Sequence, residues 1–313
     1  MVMSFRKYLS ESEIDATKRK GIAHLNQMKP LEFLELLRVF KDEFSGIISS
    51  ENVDVSEKVD GFGVRFGYDG SGRFFLESSH SGPQFSAGAF SAYAVQKYGV
   101  SNNISKGYDD IFDVLSKMPA LKGYLTKVIP GGCKVIGECL YNPNGTLTDH
   151  GIKFIATTYD PKLLGKWATF VIFDVIPVDS KVVFDKSDVI EGLARLSTSE
   201  VKFAKPSIGL KNVDISYEID DFMKLINNYD NLEDVLKSRK AADRDLKKAI
   251  IDIFEKFQKE VTEKIADGLL SGQFGPEIEG AVFNMKTGQS FKITTDTFKA
   301  NKAEFNTAYK GKP

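Results

Sequence analysis

The sequence predicts an α+β protein in which antiparallel sheets are flanked by helices. Three observations carry that expectation. Short apolar runs are grouped between Gly-rich turns, as in hairpins and meanders. The helical stretches flank these groups and do not alternate with each strand, as a Rossmann topology requires. No Gly-x-Gly-x-x-Gly or Walker sequence occurs anywhere in the chain.

The elements follow in order. Residues 1–50 read as an N-terminal helical segment: Pro30 suits a helix start, and Leu31, Leu34, Leu37, Phe40 and Phe44 recur at helical spacing. At Val53 the period changes, and strands are expected at 53–59, 62–68 and 73–78, with Asp69-Gly70 and Ser71-Gly72 as turns. Helices are expected at 86–98 and 108–128, then strands at 134–141, 152–158 and 168–177. Residues 186–197 read as a helix, and 217–270 as a charged helical stretch. A hairpin at 279–285 and 289–294 turns at Thr287-Gly288, and a last helix covers 297–308.

Composition bounds the function. With 313 residues and 42% apolar content, the chain can build a core without staples. Its net charge of −1, from 42 basic and 43 acidic residues, excludes a global basic field. A nucleic-acid partner would have to be met by a local patch. The sign-alternating run from Lys237 to Lys248 reads first as a solvated face. The two cysteines, Cys133 and Cys139, share one face of a strand and read as core residues in a reducing compartment. The three histidines are too dispersed for a zinc site. Met1 to Ser10 has no apolar core of a signal peptide, and the longest apolar run, Ala168 to Val178, is too short to cross a bilayer. A cytoplasmic protein with no membrane partner is expected.

Five short runs carry chemistry. In Glu57-Lys58-Val59-Asp60-Gly61 a lysine stands at a strand end, before an acid and a glycine that permits a tight turn and close ligand approach. Glu138 interrupts the apolar strand Val135 to Leu140, and Asp174 interrupts Phe170 to Ile176. A charge in a buried strand needs a partner or a task. Glu279-Gly280 opens the late hairpin, and Lys292 stands alone in its return strand, Ser290-Phe291-Lys292-Ile293.

Taken in order, these runs resemble the motifs of the covalent lysine nucleotidyltransferases, a superfamily of ATP-dependent RNA and DNA ligases and mRNA capping enzymes. Lys58-Val59-Asp60-Gly61 is similar to the first motif, Val135 to Leu140 to the third, and Phe173-Asp174-Val175 to the variant that follows it. Glu279-Gly280 is similar to the fourth motif, and Phe291-Lys292-Ile293 to the fifth. The series spans residues 53–294 and most resembles a small phage-type polynucleotide ligase. It implies a nucleotidyltransferase (ATP-grasp-like ligase) fold over 51–313, with a helical insertion at about 215–270.

The resemblance implies roles. Lys58 would attack the α-phosphorus of ATP and become adenylated. Free lysine is mostly protonated at neutral pH, and a nearby cation favours the reactive amine. Lys292 would grip the α-phosphate. Glu57, Asp60, Gly61 and Arg65 would belong to the nucleotide site. Glu138 would contact ribose or metal, Glu279 would help hold Mg2+ (or Mn2+), and Phe173 would stack on the base. His80, in Phe75 to Gly82, stands where ligases often carry an arginine, and would meet nucleic acid or phosphate.

Two departures shape the expected reaction. Ligases usually carry Lys-x-Lys in the fifth motif, whereas Thr294 fills the second position here; Lys286, Lys299 and Lys302 are the candidates to replace it. The short stretch from Ile293 to Pro313 leaves no room for an oligonucleotide-binding barrel. The expected function is therefore an ATP-dependent polynucleotide ligase, with RNA ends or nicks favoured over DNA. Three alternatives use the same residues: a nick-sealing DNA ligase, a GTP-using capping-type guanylyltransferase, and a non-catalytic nucleotide or nucleic-acid binding protein. The opening run Ser4 to Glu11 resembles the start of some bacteriophage proteins, which would make the compartment a host cytoplasm.

Overall fold

The computed structural model describes residues 22–78, 81–101, 103–142, 157, 159–160, 162–229, 231–275, 277–285 and 289–310. The opening run, His80, Lys286, the Thr287-Gly288 turn and nearly all of the strand expected at 152–158 lie outside them.

Two sheets organise the chain. The smaller is three-stranded and antiparallel, in the order β12–β11–β2, from β2 (Val53–Lys58), β11 (Gly280–Met285) and β12 (Ser290–Thr294). The larger has the order β4–β3–β5–β6–β7, from β3 (Phe62–Tyr68), β4 (Phe74–Ser78), β5 (Cys133–Tyr141), β6 (Ala168–Pro177) and β7 (Val201–Ala204). Among the described residues there are also two short pairs: β1 (Ile47–Ile48) with β9 (Val213–Asp214), and β8 (Ile208–Leu210) with β10 (Leu269–Gly272).

The fold is α+β, as expected, but its larger sheet is mixed. β6 and β7 run parallel, and α5 (Lys186–Ala194) makes the crossover between them. A parallel pair needs such a crossover, because a tight turn can only reverse the chain. The helix expected at 108–128 is two helices, α3 (Asn103–Ser116) and α4 (Pro119–Val128), following α2 (Ala89–Tyr98). Proline takes the first position of α4, and Met118 before it is forced into extended backbone at φ −92° and ψ 96°. The stretch expected as helix at 217–270 divides into α6 (Ser216–Ile226), α7 (Leu232–Lys237), α8 (Arg244–Asp267) and the start of β10. The last helix, α9, covers Asp296–Lys310.

Each sheet owns a core. The larger packs Phe62, Val64, Phe66 and Val135 against Phe90 of α2, Phe112 and Leu115 of α3 and Leu121 of α4. The smaller packs Phe283, Phe291 and Ile293 against α1 (Pro30–Phe44), α6 and α8. The segment around α1 is thus part of the second core. Four phenylalanines from three helices lock that core: Phe222 stacks on Phe257 at 4.3 Å, and Phe33 meets Phe222 and Phe254 edge-on. Each such pair is worth ~0.5–1.5 kcal/mol beyond its buried area. Both cysteines are free and buried, as expected.

Register on the small sheet sets the site. Phe283 pairs with Phe291 across β11 and β12, and the rings stack at 4.6 Å on the core face. The adjacent pair, Val282 with Lys292, must then point to the opposite face. A slip of one residue would send Lys292 into the core, so burial of the two rings fixes where the lysine stands.

Candidate active site

The two sheets enclose a cleft of about 420 Å3. Asp54, Ser56 and Lys58 line it from β2, Val282 and Asn284 from β11, and Lys292 from β12. Opposite them stand Ile136 and Glu138 of β5, and Ile172, Phe173 and Asp174 of β6.

Local sequence explains the small-sheet wall. In Val53-Asp54-Val55-Ser56-Glu57-Lys58 the period is two, so Asp54, Ser56 and Lys58 share the cleft face. The rows run straight across the sheet: Ser56 pairs with Val282 and Val282 with Lys292, while Lys58 pairs with Gly280. Gly280 is required there, because a Cβ would run into the Ile293 carbonyl and come within 3.0 Å of the Thr294 Cα. The alternation also puts Glu57 on the far face, away from the cleft. There it is 1% exposed and accepts the Gln273 backbone N–H at 2.6 Å. Burial pushes its pKa up to about 7. Glu57 therefore does not join the other predicted nucleotide residues.

The lysine at the strand end has a definite setting. Its ammonium is paired with the Glu279 carboxylate. Beyond it the chain turns through Asp60-Gly61. The Asp60 N–H donates to the Tyr159 hydroxyl at 2.7 Å, and the Gly61 N–H donates to Glu138 Oε2 at 3.0 Å. A Cβ on Gly61 would lie 2.8 Å from the Cys139 carbonyl, so glycine permits the approach to β5. The Asp60 carboxylate accepts from Lys302 Nζ of α9 at 3.1 and 3.3 Å.

The acids around Lys58 are tuned by burial. Desolvation raises the Glu138 pKa to about 7, against the pull of Lys58 and with the push of Glu279. Glu279 is also raised, chiefly by burial, while Lys58 opposes the shift. Lys292 is half-buried, and desolvation followed by the charge of Lys58 lowers its pKa. His24 is lowered by the same two effects, with Lys292 the largest of its charged neighbours.

Phe173 is 40% exposed and faces the cleft, so it is not a core residue. The β5–β6 register explains the exposure: Ile136 pairs with Asp174 and Gly137 with Ile172, so Phe173 is the extra residue of a β-bulge. Bulges re-aim a side chain in this way. Asp174 accepts from Lys186 Nζ at 2.6 Å, which answers its charge. Arg65 lies one strand farther out, opposite Ile136 on β3, and donates to the Ser78 carbonyl at 3.4 Å. It does not line the cleft.

Two contributors were not singled out from the sequence, and a third, Lys302, was named there only as a stand-in for a missing second lysine. The backbone of Ile22–His24 runs beside β12, where Lys292 N–H donates to the Ala23 carbonyl at 3.0 Å, and Ile22 lines the cleft. Tyr159 holds the turn after Lys58, and Lys302 joins that turn to α9. None of them stands in a run of unusual composition; each is defined by a contact distant in sequence.

Among the described residues, no group of three or more His, Cys, Asp or Glu is arranged to hold a metal ion. The fit for magnesium is of another kind. Glu138 and Glu279 are both coupled to Lys58, and Glu279 Oε2 is buried without a hydrogen-bond partner. Magnesium prefers oxygen donors and is commonly bound by one or two carboxylates, waters and substrate phosphates. The donor set suits that use. A second cavity, of about 520 Å3, lies where α8 meets the start of α9. It mixes Lys259 and Lys299 with Glu263, Asp267 and Asp296, and includes Thr294, so Lys299 lines this cavity and not the cleft of Lys58.

Among the described residues, no helix is long and apolar enough to cross a membrane. No protein-family model matches the sequence, and no curated protein matches it significantly.

Proposed function

We propose that this protein is an ATP-dependent polynucleotide ligase of the covalent-lysine type, in a nucleotidyltransferase fold, with RNA ends its favoured acceptor. The observation that carries the reading is the meeting of Lys58, Lys292, Glu138 and Phe173, from four strands, around one cleft. A structural lysine at a strand end has no need of a second lysine, a partly buried acid and an exposed aromatic facing it.

Each residue then has a task. The purine stacks on Phe173, a contact of ~1–3 kcal/mol. Glu138, which lines the same cleft and feels the charge of Lys58, would meet the ribose. Lys292 offers its charge to the α-phosphate from the next row on the cleft face, beside Ser56 and Val282. A divalent ion held by Glu138 and Glu279 would add positive charge against the phosphate oxygens.

The lysine ammonium first gives a proton to solvent. The amine attacks the α-phosphorus, forming a P–N bond and breaking the bond to the bridging oxygen of the β-phosphate. Pyrophosphate leaves with that electron pair and takes the proton shed by nitrogen. A 5′-phosphate oxygen then attacks the phosphorus of the bound AMP, and the P–N bond breaks with its electron pair on nitrogen, which takes a proton from solvent and leaves as the lysine amine. Finally a 3′-hydroxyl attacks the 5′-phosphorus, AMP departs, and the hydroxyl proton passes to solvent.

The test is intact mass after incubation with ATP and magnesium. The wild type should gain one AMP, and Lys58→Ala should gain none. A Lys58→Ala variant that labels as well as wild type sinks the assignment. Parallel incubation with GTP decides the nucleotide, and joining of single-stranded RNA against a nicked DNA duplex decides the acceptor.

A further inference from the structure

The corner beyond Lys58 contains a cation that the scheme above does not use. Lys302, on α9, reaches back 242 residues in sequence to the Asp60 carboxylate. On the same helix Phe298 has the Lys302 ammonium 5.2 Å from its ring centroid and the Lys58 ammonium 6.0 Å from it. One aromatic ring thus lies near two ammonium groups at one site. Lys302 is 38% exposed, so it can exchange an internal partner for a dissolved one. Its helical neighbour Lys299 is held by Asp296 at 2.6 Å.

The direction of the cleft says what would arrive there. Asp54 and Lys58 lie four residues apart on β2, roughly 13 Å at the strand rise. On the facing sheet Glu138 meets the Gly61 N–H at the turn beyond Lys58, and the Phe173 bulge lies opposite Ile136 and Gly137, farther back from that turn along β5. A nucleotide whose base rests on Phe173 and whose α-phosphorus meets Lys58 runs along this strand towards its end. Its remaining phosphates continue past Lys58, to the turn where Asp60 and Lys302 stand. The β- and γ-phosphates carry most of the charge of the triphosphate, and the leaving pyrophosphate carries more after the bond breaks. Lys58 cannot neutralise it, since the attacking amine is uncharged.

We infer that Lys302, which shares the Phe298 ring with Lys58, is the pyrophosphate-binding residue of this site: it leaves Asp60 to contact the β- and γ-phosphates and stabilises the departing pyrophosphate. The inference rests on the nucleotidyltransferase reading. Substitution of a residue that contacts a charged group costs about 10- to 100-fold in the step it serves.

Two measurements test it on the full chain, with Lys302→Ala and Lys302→Arg beside wild type. The first compares self-adenylation by ATP with the joining of ends supplied already adenylated, a reaction without pyrophosphate. Lys302→Ala should slow adenylation and raise KM for ATP, by a factor at least tenfold larger than any fall in joining; Lys302→Arg should recover most of the loss. The second is calorimetric binding of inorganic pyrophosphate, which Lys302→Ala should weaken about tenfold or more. Equal losses in both reactions, or unchanged pyrophosphate affinity, overturn the inference and leave Lys302 as a strut for Asp60. A wild type that forms no AMP adduct overturns the ligase reading instead, and pyrophosphate binding still decides the subsite.

Discussion

The ammonium of Lys58 is paired with the carboxylate of Glu279, 221 residues farther along the chain. The pair sits at the end of the β2–β11 ladder, where Lys58 faces Gly280. Glu279 is 7% exposed and Lys58 22%, so the acid is the more desolvated partner. Removing Lys58 would leave a buried, unpaired carboxylate, which takes up a proton more readily. Glu279→Gln is therefore expected to fold as wild type does but to lower the rate of AMP attachment about 10- to 100-fold, since it loses a carboxylate that would hold the divalent ion beside the reacting phosphate. Single-turnover labelling with ATP at varied magnesium measures this. Full activity in Glu279→Gln would show that its charge has no part in the reaction.

Phe173→Ala should raise KM for ATP while leaving the rate at saturation nearly unchanged. The ring is a bulge residue with 40% of its surface exposed, so its removal opens little core. The lost stacking is worth ~1–3 kcal/mol, and it acts before the chemical step. Initial-rate adenylation across ATP concentrations separates the two constants. A fall in the saturated rate with unchanged KM contradicts a stacking role.

Much of this architecture was readable in the sequence because its strands alternate. The Val53–Lys58 strand declares its two faces residue by residue, and the hairpin strands Gly280–Met285 and Ser290–Thr294 do the same. Their cleft-facing positions follow once the register is known. Contacts between elements far apart in sequence were not readable. Nothing in Ile22-Ala23-His24 announces a backbone that runs beside β12, and nothing near Lys302 announces Asp60. The parallel pairing of β6 and β7 was hidden for a related reason, since Val201–Ala204 is only four residues long and too short to show a period. Phe173 illustrates a third limit. Its motif placed it in an apolar strand, and only the extra residue of the bulge turns it towards the cleft.

Glu57 links the same strand to stability. The residue occupies a core-facing position, its Oε1 is buried without a hydrogen-bond partner, and burial raises its pKa from 4.5 to about 7. The folded state therefore holds a proton that the unfolded state releases between those two values. By linkage, the stability tied to this proton is fully present below pH 4.5 and is lost as pH rises through about 7. Glu57→Gln removes the charge and retains a carbonyl oxygen for the Gln273 N–H. It should be more stable than wild type at pH 8 by roughly 1–3 kcal/mol, with a smaller difference at pH 5. Urea denaturation at both pH values measures it. A variant less stable than wild type at pH 8 would mean that the ionised acid has a partner in the fold.

Gly280→Ala tests whether the ladder positions the lysine. Gly280 lies between Lys58 on β2 and Thr294 on β12, in one row across the sheet. An alanine methyl there meets the Ile293 carbonyl and approaches the Thr294 backbone at 3.0 Å, so the strands must separate or β12 must shift. Backbone cannot give way as a flexible side chain can, and overpacking of this kind costs ~1–3 kcal/mol. The displaced strand carries Lys292, and the adjoining residue is Glu279, so both groups facing Lys58 move together. The expected result is a modest loss of stability with a loss of adenylation of a hundredfold or more, larger than that of Glu279→Gln. An enzyme constellation tolerates errors of about 0.5 Å, which explains why activity should fall further than stability. Gly280→Ala that is destabilised yet adenylates at the wild-type rate would separate Lys58 from the β11 and β12 side of the cleft, and would leave the lysine to be positioned by the Asp60-Gly61 turn alone.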